Sequence, residues 1–173
     1  MNYATIKEHD TANGTGVRVS LFVSGCTHHC KECFNPEAWD FNYGQKYTKE
    51  TEDQVVKLLD RNYIKGLSLL GGEPFEPANQ LELVKLVKRV KQEYPNKTIW
   101  AYSGYTFDND LAKGGKAYTK VTDEMLSCID VLVDGEFVLA LKDLKLHFRG
   151  SSNQRIIDVQ NSIKENKVIT LDL

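Results

Sequence analysis

The chain has 173 residues, 41% of them hydrophobic, and no low-complexity tract, which suits one globular domain and excludes disordered and fibrous classes. Its 22 Lys and Arg against 24 Asp and Glu leave a formal charge of −2, so it lacks the basic excess that phosphate neutralisation requires, and no nucleic-acid partner is expected. No apolar run approaches the roughly 18 residues of a bilayer span, and Met1 to Asp10 lacks the charged-then-apolar layout of a signal peptide; we expect a single cytoplasmic domain over residues 1–173 with no membrane partner.

In chain order, Val17 to Ser24 is rich in β-branched and aromatic residues, follows the turn-forming Asn13-Gly14-Thr15-Gly16 and stops at Gly25, which predicts a buried strand. Cys26, Cys30 and Cys33 come directly after it. From Thr48 to about Tyr63, apolar Val55, Leu58, Leu59 and Tyr63 recur at helical spacing, with Thr48 as N-cap and acidic residues in the first turn. Leu67 to Leu70 reads as a strand closed by Gly71-Gly72, and Gln80 to Tyr94 as an amphipathic helix burying Leu83, Val84, Leu86, Val87 and Val90. Thr98 to Tyr102 is a third strand ended by Ser103-Gly104. Thr122 to Ile129 is a short helix capped by Thr122, and Val131 to Val133 a fourth strand ended by Asp134-Gly135.

Alternating strands and helices imply an α/β fold with a mostly parallel sheet joined by right-handed crossovers. A complete eight-unit barrel needs about 250 residues, so about four units suggest a partial, incomplete TIM-type barrel or a doubly wound sheet. Either architecture gathers ligands at the carboxyl ends of the strands. Cys26, Gly71-Gly72, Ser103-Gly104 and Asp134-Gly135 all lie just past predicted strands, so four loops should line one rim.

Three of the four cysteines, Cys26, Cys30 and Cys33, fall within eight positions, which in a reducing compartment favours a metal site over disulfides. Three thiolates on a [4Fe–4S] cluster leave one iron open, because a complete set is four. A structural zinc held by the same cysteines and His28 or His29 uses the same residues.

Several segments together resemble the radical S-adenosylmethionine enzymes: Gly14-Thr15-Gly16-Val17-Arg18, Leu21 to Cys26, Cys30-Lys31-Glu32-Cys33-Phe34-Asn35-Pro36 and Gly71-Gly72-Glu73-Pro74. Within that superfamily, Cys33 to Asp40, Val133 to Phe137 and Phe148 to Arg155 are similar to the glycyl-radical-enzyme activases that serve anaerobic ribonucleoside-triphosphate reductase. The resemblance runs from about Gly14 to Arg155. It implies that Cys26, Cys30 and Cys33 ligate a [4Fe–4S] cluster whose open iron is chelated by S-adenosylmethionine. It further implies that Gly71, Gly72 and Glu73 meet the amino group of the methionine moiety, and that Glu32, Cys33 and Phe34 lie at the adenine. Many relatives carry an aromatic immediately before the third cysteine; here Glu32 holds that place and Phe34 follows.

The implied activity is reductive cleavage of S-adenosylmethionine to methionine and a 5′-deoxyadenosyl radical, which abstracts hydrogen from a glycine of the reductase. A flavodoxin or ferredoxin is the implied electron donor, and no separate catalytic acid or base is required. The alternatives are an activase of the pyruvate formate-lyase type, whose members are generally longer, and a zinc-stabilised binding module without chemistry.

Other groups have ordinary readings. His28 and His29 are expected to be hydrogen-bonded or solvent-facing rather than ligands. Cys128 is expected to be a small buried hydrophobe, Trp100 a core residue, and Lys85, Lys88, Arg89 and Lys91 a solvated helix face. Arg149, Asn153, Gln154 and Arg155 form either a polar turn or part of the rim.

Overall fold

Side-chain alternation along the strands gives this molecule two unlike faces. The computed structural model describes residues 1–173, with strands β1 (Asn2–Asp10), β2 (Val17–Val23), β3 (Gln45–Lys46), β4 (Ile64–Gly71), β5 (Thr98–Ser103), β6 (Val131–Asp134) and β7 (Arg155–Asp158). Its helices are α1 (Lys49–Leu58), α2 (Pro77–Glu93), α3 (Thr122–Ser127) and α4 (Val159–Glu165). The strands form one sheet in the order β3-β1-β2-β4-β5-β6-β7.

Successive strand residues point to opposite faces. Val19, Leu21 and Val23 of β2, Leu67 and Leu69 of β4 and Ile99 and Ala101 of β5 share one core with Val55 and Val56 of α1 and Leu83, Leu86, Val87 and Val90 of α2. Each Val, Leu or Ile among them contributes about 1.5–3 kcal/mol by leaving water. Trp100, Val131, Val133 and Ile156 form a second, smaller cluster, and the alternate β2 and β4 positions Arg18, Ser20 and Ser68 are buried and polar.

The expected parallel sheet holds across the middle, where β2 pairs with β4, β4 with β5 and β5 with β6. Both flanks are antiparallel: β1 runs against β2 and β3, and β7 against β6. The sequence reading left out β1, β3, β7 and α4. In β1 (NYATIKEHD) four of nine positions are exposed, so its apolar content is too low to mark a strand, and backbone pairing with β2 places it. Helix α1 starts where expected, with Thr48 and Thr51 forming a reciprocal capping box. Helix α2 begins three residues earlier than expected, at Pro77, whose missing N–H costs nothing in the first turn.

The expected cap of α3 is corrected. Val121 is its N-cap, and Thr122 is the first helical residue. The Thr122 hydroxyl donates to Gln80 Oε1 at 2.5 Å and accepts from the Thr119 N–H at 2.8 Å, so it ties α3 to α2 instead of capping its own helix.

Arg18 is fully buried. Its guanidinium donates to Ser68 Oγ (2.8 Å), the Thr15 carbonyl (3.1 Å), Thr98 Oγ1 (3.0 Å), the Leu67 carbonyl (3.0 Å) and the Thr98 carbonyl (2.7 Å). It also lies 5.8 Å from the Trp100 ring. Desolvation pulls its pKa down to about 10, opposed in part by the charges of Asp130 and Asp10, so the cation survives at neutral pH although each of its hydrogen-bond acceptors is neutral. Arg18→Ala strands several buried acceptors and opens a cavity; we expect a loss of about 3–5 kcal/mol, read by urea denaturation of the metal-free protein.

Candidate metal centre and ligand pocket

The carboxyl ends of β2, β4, β5 and β6 open onto one cavity of about 550 Å³, with Cys26, Gly72, Gly104 and Gly135 in its lining. The four loops expected to share a rim therefore do so. The Gly71-Gly72 turn admits no side chain. Gly71 has φ +110°, and a Cβ on Gly72 would stand 2.6 Å from the Gly25 carbonyl oxygen.

All three clustered cysteines line this cavity. Cys26 is buried and its sulfur accepts backbone N–H groups from His28 and His29. Cys30 accepts from the Phe137 N–H, and Cys33 from the Asn35 N–H at 3.5 Å. Burial pushes the Cys26 thiol up to about 12 and also raises that of Cys30. Metal ligation must therefore displace protons from these thiols. Soft sulfur donors, each hydrogen-bonded by backbone, around one cavity fit an iron–sulfur cluster.

A mononuclear Cys3His zinc fits less well. The donors found within 4.8 Å of one another are those of Cys26, His28 and Glu76, a set without Cys30 or Cys33. Both His28 nitrogens are engaged: Nε2 lies 2.8 Å from Glu73 Oε1 and Nδ1 2.9 Å from Glu136 Oε1. His29 stacks on Trp39 with ring centroids 4.4 Å apart. The expectation that these histidines serve as hydrogen-bonding or solvent-facing groups agrees with this geometry.

Glu73 is 1% exposed. Its Oε1 accepts from the Gly104 N–H at 2.7 Å as well as from His28, and its Oε2 from the Phe75 N–H and Ser103 Oγ, both at 2.8 Å. Glu76 Oε1 accepts from the Thr27 N–H (2.8 Å) and Thr27 Oγ1 (2.7 Å). The cysteine loop is thus fastened at Thr27 and His28 to the segment after β4. Burial alone lowers the His28 pKa, but its hydrogen bonds with Glu73 and then Glu136, and their charges, outweigh burial and raise it to about 9.

The remaining expected residues scatter. Glu32 is exposed with φ +63° and does not line the cavity. Phe34 does line it, yet is 79% exposed, with its ring 6.0 Å from that of Phe137. Arg155 is bound to Asp134 and Asp108. Arg149 lines the cavity, gives Nη1 to the Gln154 carbonyl and keeps a buried Nε without partner. Trp100 is buried as expected, and Cys128 is partly buried against the core. Lys88, Arg89 and Lys91 pair with Glu124, with Glu52, Asp53 and Glu93, and with Asp130, as a solvated face would.

Sequence reasoning passed over Glu76 and gave Glu136 no role of its own, because their partners are distant in the chain. Tyr105, past β5, sets its ring against His28 at 4.3 Å between centroids. Because the folded pKa of His28 lies above its ordinary 6.5, its ion pairs stabilise the fold fully below about pH 6.5 and are lost as pH rises through about 9. Histidine NMR titration of the metal-free protein should show one ring remaining protonated well above pH 7, and this resonance should vanish in His28→Gln.

The cavity's sulfur donors agree with what the chain resembles. Residues 12–157 match the family model of a 4Fe-4S single cluster domain. The chain is 46% identical over 156 residues to the anaerobic ribonucleoside-triphosphate reductase-activating protein of Escherichia coli strain K12, covering 89% of this chain and 96% of that one. It is 45% identical over 158 residues to that of Vibrio cholerae (90% and 97% covered) and 41% over 156 residues to that of Enterobacteria phage T4 (90% and 93%). Similarity of this extent, over most of both chains, leaves one assignment: the chain belongs to the family of anaerobic ribonucleoside-triphosphate reductase-activating proteins.

Proposed function

We propose that this chain is a radical S-adenosylmethionine enzyme that activates anaerobic ribonucleoside-triphosphate reductase by generating its glycyl radical. The observation that carries the reading is the rim itself: three cysteine sulfurs, each receiving a backbone N–H, beside a glycine turn in one cavity. Cys26, Cys30 and Cys33 would hold the [4Fe–4S] cluster. When bound, cluster and S-adenosylmethionine supply the 5′-deoxyadenosyl radical that takes hydrogen from the partner's glycine.

The chain's own residues bind and orient. The N–H groups of His28, His29, Phe137 and Asn35 neutralise charge on the three sulfurs, which makes ligation and reduction easier. The Gly71-Gly72-Glu73 turn lets backbone approach the methionine moiety, with its carbonyls as acceptors for the amino group. Cys33 and Phe34 lie on the adenine side, with Glu32 beside them on the surface. The helix-free face of the four central strands is the inside of an incomplete barrel, and residues 1–173 act as one domain.

A protein substrate suits the mouth of this cavity. Phe34 and Leu144, 79% and 87% exposed, both line it, and large exposed apolar side chains grouped at an opening mark a surface made for a partner. The names of the relatives support the reductase as that partner over another glycyl-radical enzyme. No helix is long and apolar enough to cross a membrane. The reading places the work in the cytoplasm, with a flavodoxin or ferredoxin as donor.

Anaerobic reconstitution with iron and sulfide should give a reduced protein whose electron paramagnetic resonance spectrum changes on adding S-adenosylmethionine. Cys30→Ala should abolish that response. A colourless protein holding one zinc and indifferent to S-adenosylmethionine would overturn the reading. Mixed with reductase and reductant, the wild type should leave a glycyl radical on the reductase, and a reductase whose target glycine is replaced by alanine should show none.

A further inference from the structure

His28 joins three of the rim loops through its side chain. It sits between the first two clustered cysteines, its side chain is 5% exposed, and its two nitrogens reach Glu73 after β4 and Glu136 after β6. The loop after β5 is shaped around it. A Cβ on Gly104 would stand 2.6 Å from His28 Nε2, and the Tyr105 ring lies edge-on at 4.3 Å. Two residues of the segment it holds, His29 and Glu32, have φ +50° and +63°, a region that side-chain-bearing residues rarely adopt unless their surroundings impose it.

Glu73 completes the arrangement. Each carboxylate oxygen already accepts two hydrogen bonds, and a carboxylate has about four acceptor positions. A ligand's amino group would have to displace one of these donors. Glu136 extends the connection outward. The next residue, Phe137, gives its N–H to Cys30 and lays its ring near Phe34, so the loop after β6 touches the cysteine segment at three points.

We propose that His28 is a positioning residue, which clamps the cysteine loop to Glu73 and Glu136 and thereby sets where Cys26 and Cys30 present their sulfurs. Glu73 acts through this clamp and through the Gly104 N–H, not by contact with the bound cofactor. The inference rests on the proposed radical S-adenosylmethionine function and adds to it a residue outside the cysteine and glycine motifs.

The test compares the reconstituted wild type with His28→Ala and Glu136→Ala. Amide hydrogen exchange on the full chain should show Thr27 to Cys33 exchanging at least tenfold faster in His28→Ala, with the strand amides of β2 and β4 unchanged. Its reduced cluster should give a broadened resonance spectrum, and its affinity for S-adenosylmethionine should fall at least fivefold. Glu136→Ala removes only the outer contact and should shift each readout the same way by less; it keeps the test decisive if His28→Ala does not fold. Unchanged exchange, spectrum and affinity in the variants, with a wild type that responds to S-adenosylmethionine, would overturn this inference alone. A wild type with no responsive cluster would overturn the functional reading, and the inference with it.

Discussion

A carboxylate taken out of water costs several kcal/mol unless its lone pairs are met, and Glu73, 1% exposed, has all of them met from four separate places. The donors are its own turn at Phe75, the end of β5 at Ser103, the following loop at Gly104, and the cysteine loop at His28. One buried charge therefore ties three strand ends together. Remove it, and the loops that shape the cavity lose their common anchor. Glu76 repeats the device one turn further on, where it holds Thr27.

The same economy appears at the opposite end of the strands. Arg18 sits at the start of β2 and reaches across β4 to β5, bonding Ser68, Leu67 and Thr98. It has no carboxylate partner among those bonds; the cation is spread over neutral acceptors and the face of Trp100. The helix-free side of the sheet thus carries buried polar chemistry at one end and the cavity at the other. The helix side carries the large apolar core, crossed by a few polar ties such as Thr122 to Gln80, and supplies the bulk of the burial. Stability and function are divided between the two faces, so the cavity wall can hold glycines and cysteines without weakening the main core.

Much of the central architecture was legible in the sequence because period and punctuation agree there. β2, β4, β5 and β6 are short apolar runs closed by glycine, and α1 and α2 bury one face at helical spacing. The flanks were not legible. β1 has four of nine positions exposed and is rich in charge, β3 is two residues long, and β7 with α4 follows an irregular stretch from Gly135 to Gln154 without helical or strand periodicity. Thr122 shows how a local rule misleads: a threonine before an apolar turn reads as a cap, yet here its hydroxyl is used by Gln80 of another helix.

By itself the sequence determined the chemistry of the site: three closely spaced thiols after a strand, a glycine turn one unit later, and the family to which those motifs point. Sulfur donors and glycines at fixed spacing are local properties, readable without knowing what lies across the fold. Only the tertiary structure decided which groups hold that loop in place. His28, Glu73 and Glu136 are separated by 45 and 63 residues in the chain, and His28 could equally have been a metal ligand, a surface residue or the clamp it is. Proximity across the sheet ends, not any pattern in the chain, set its partners and its charge.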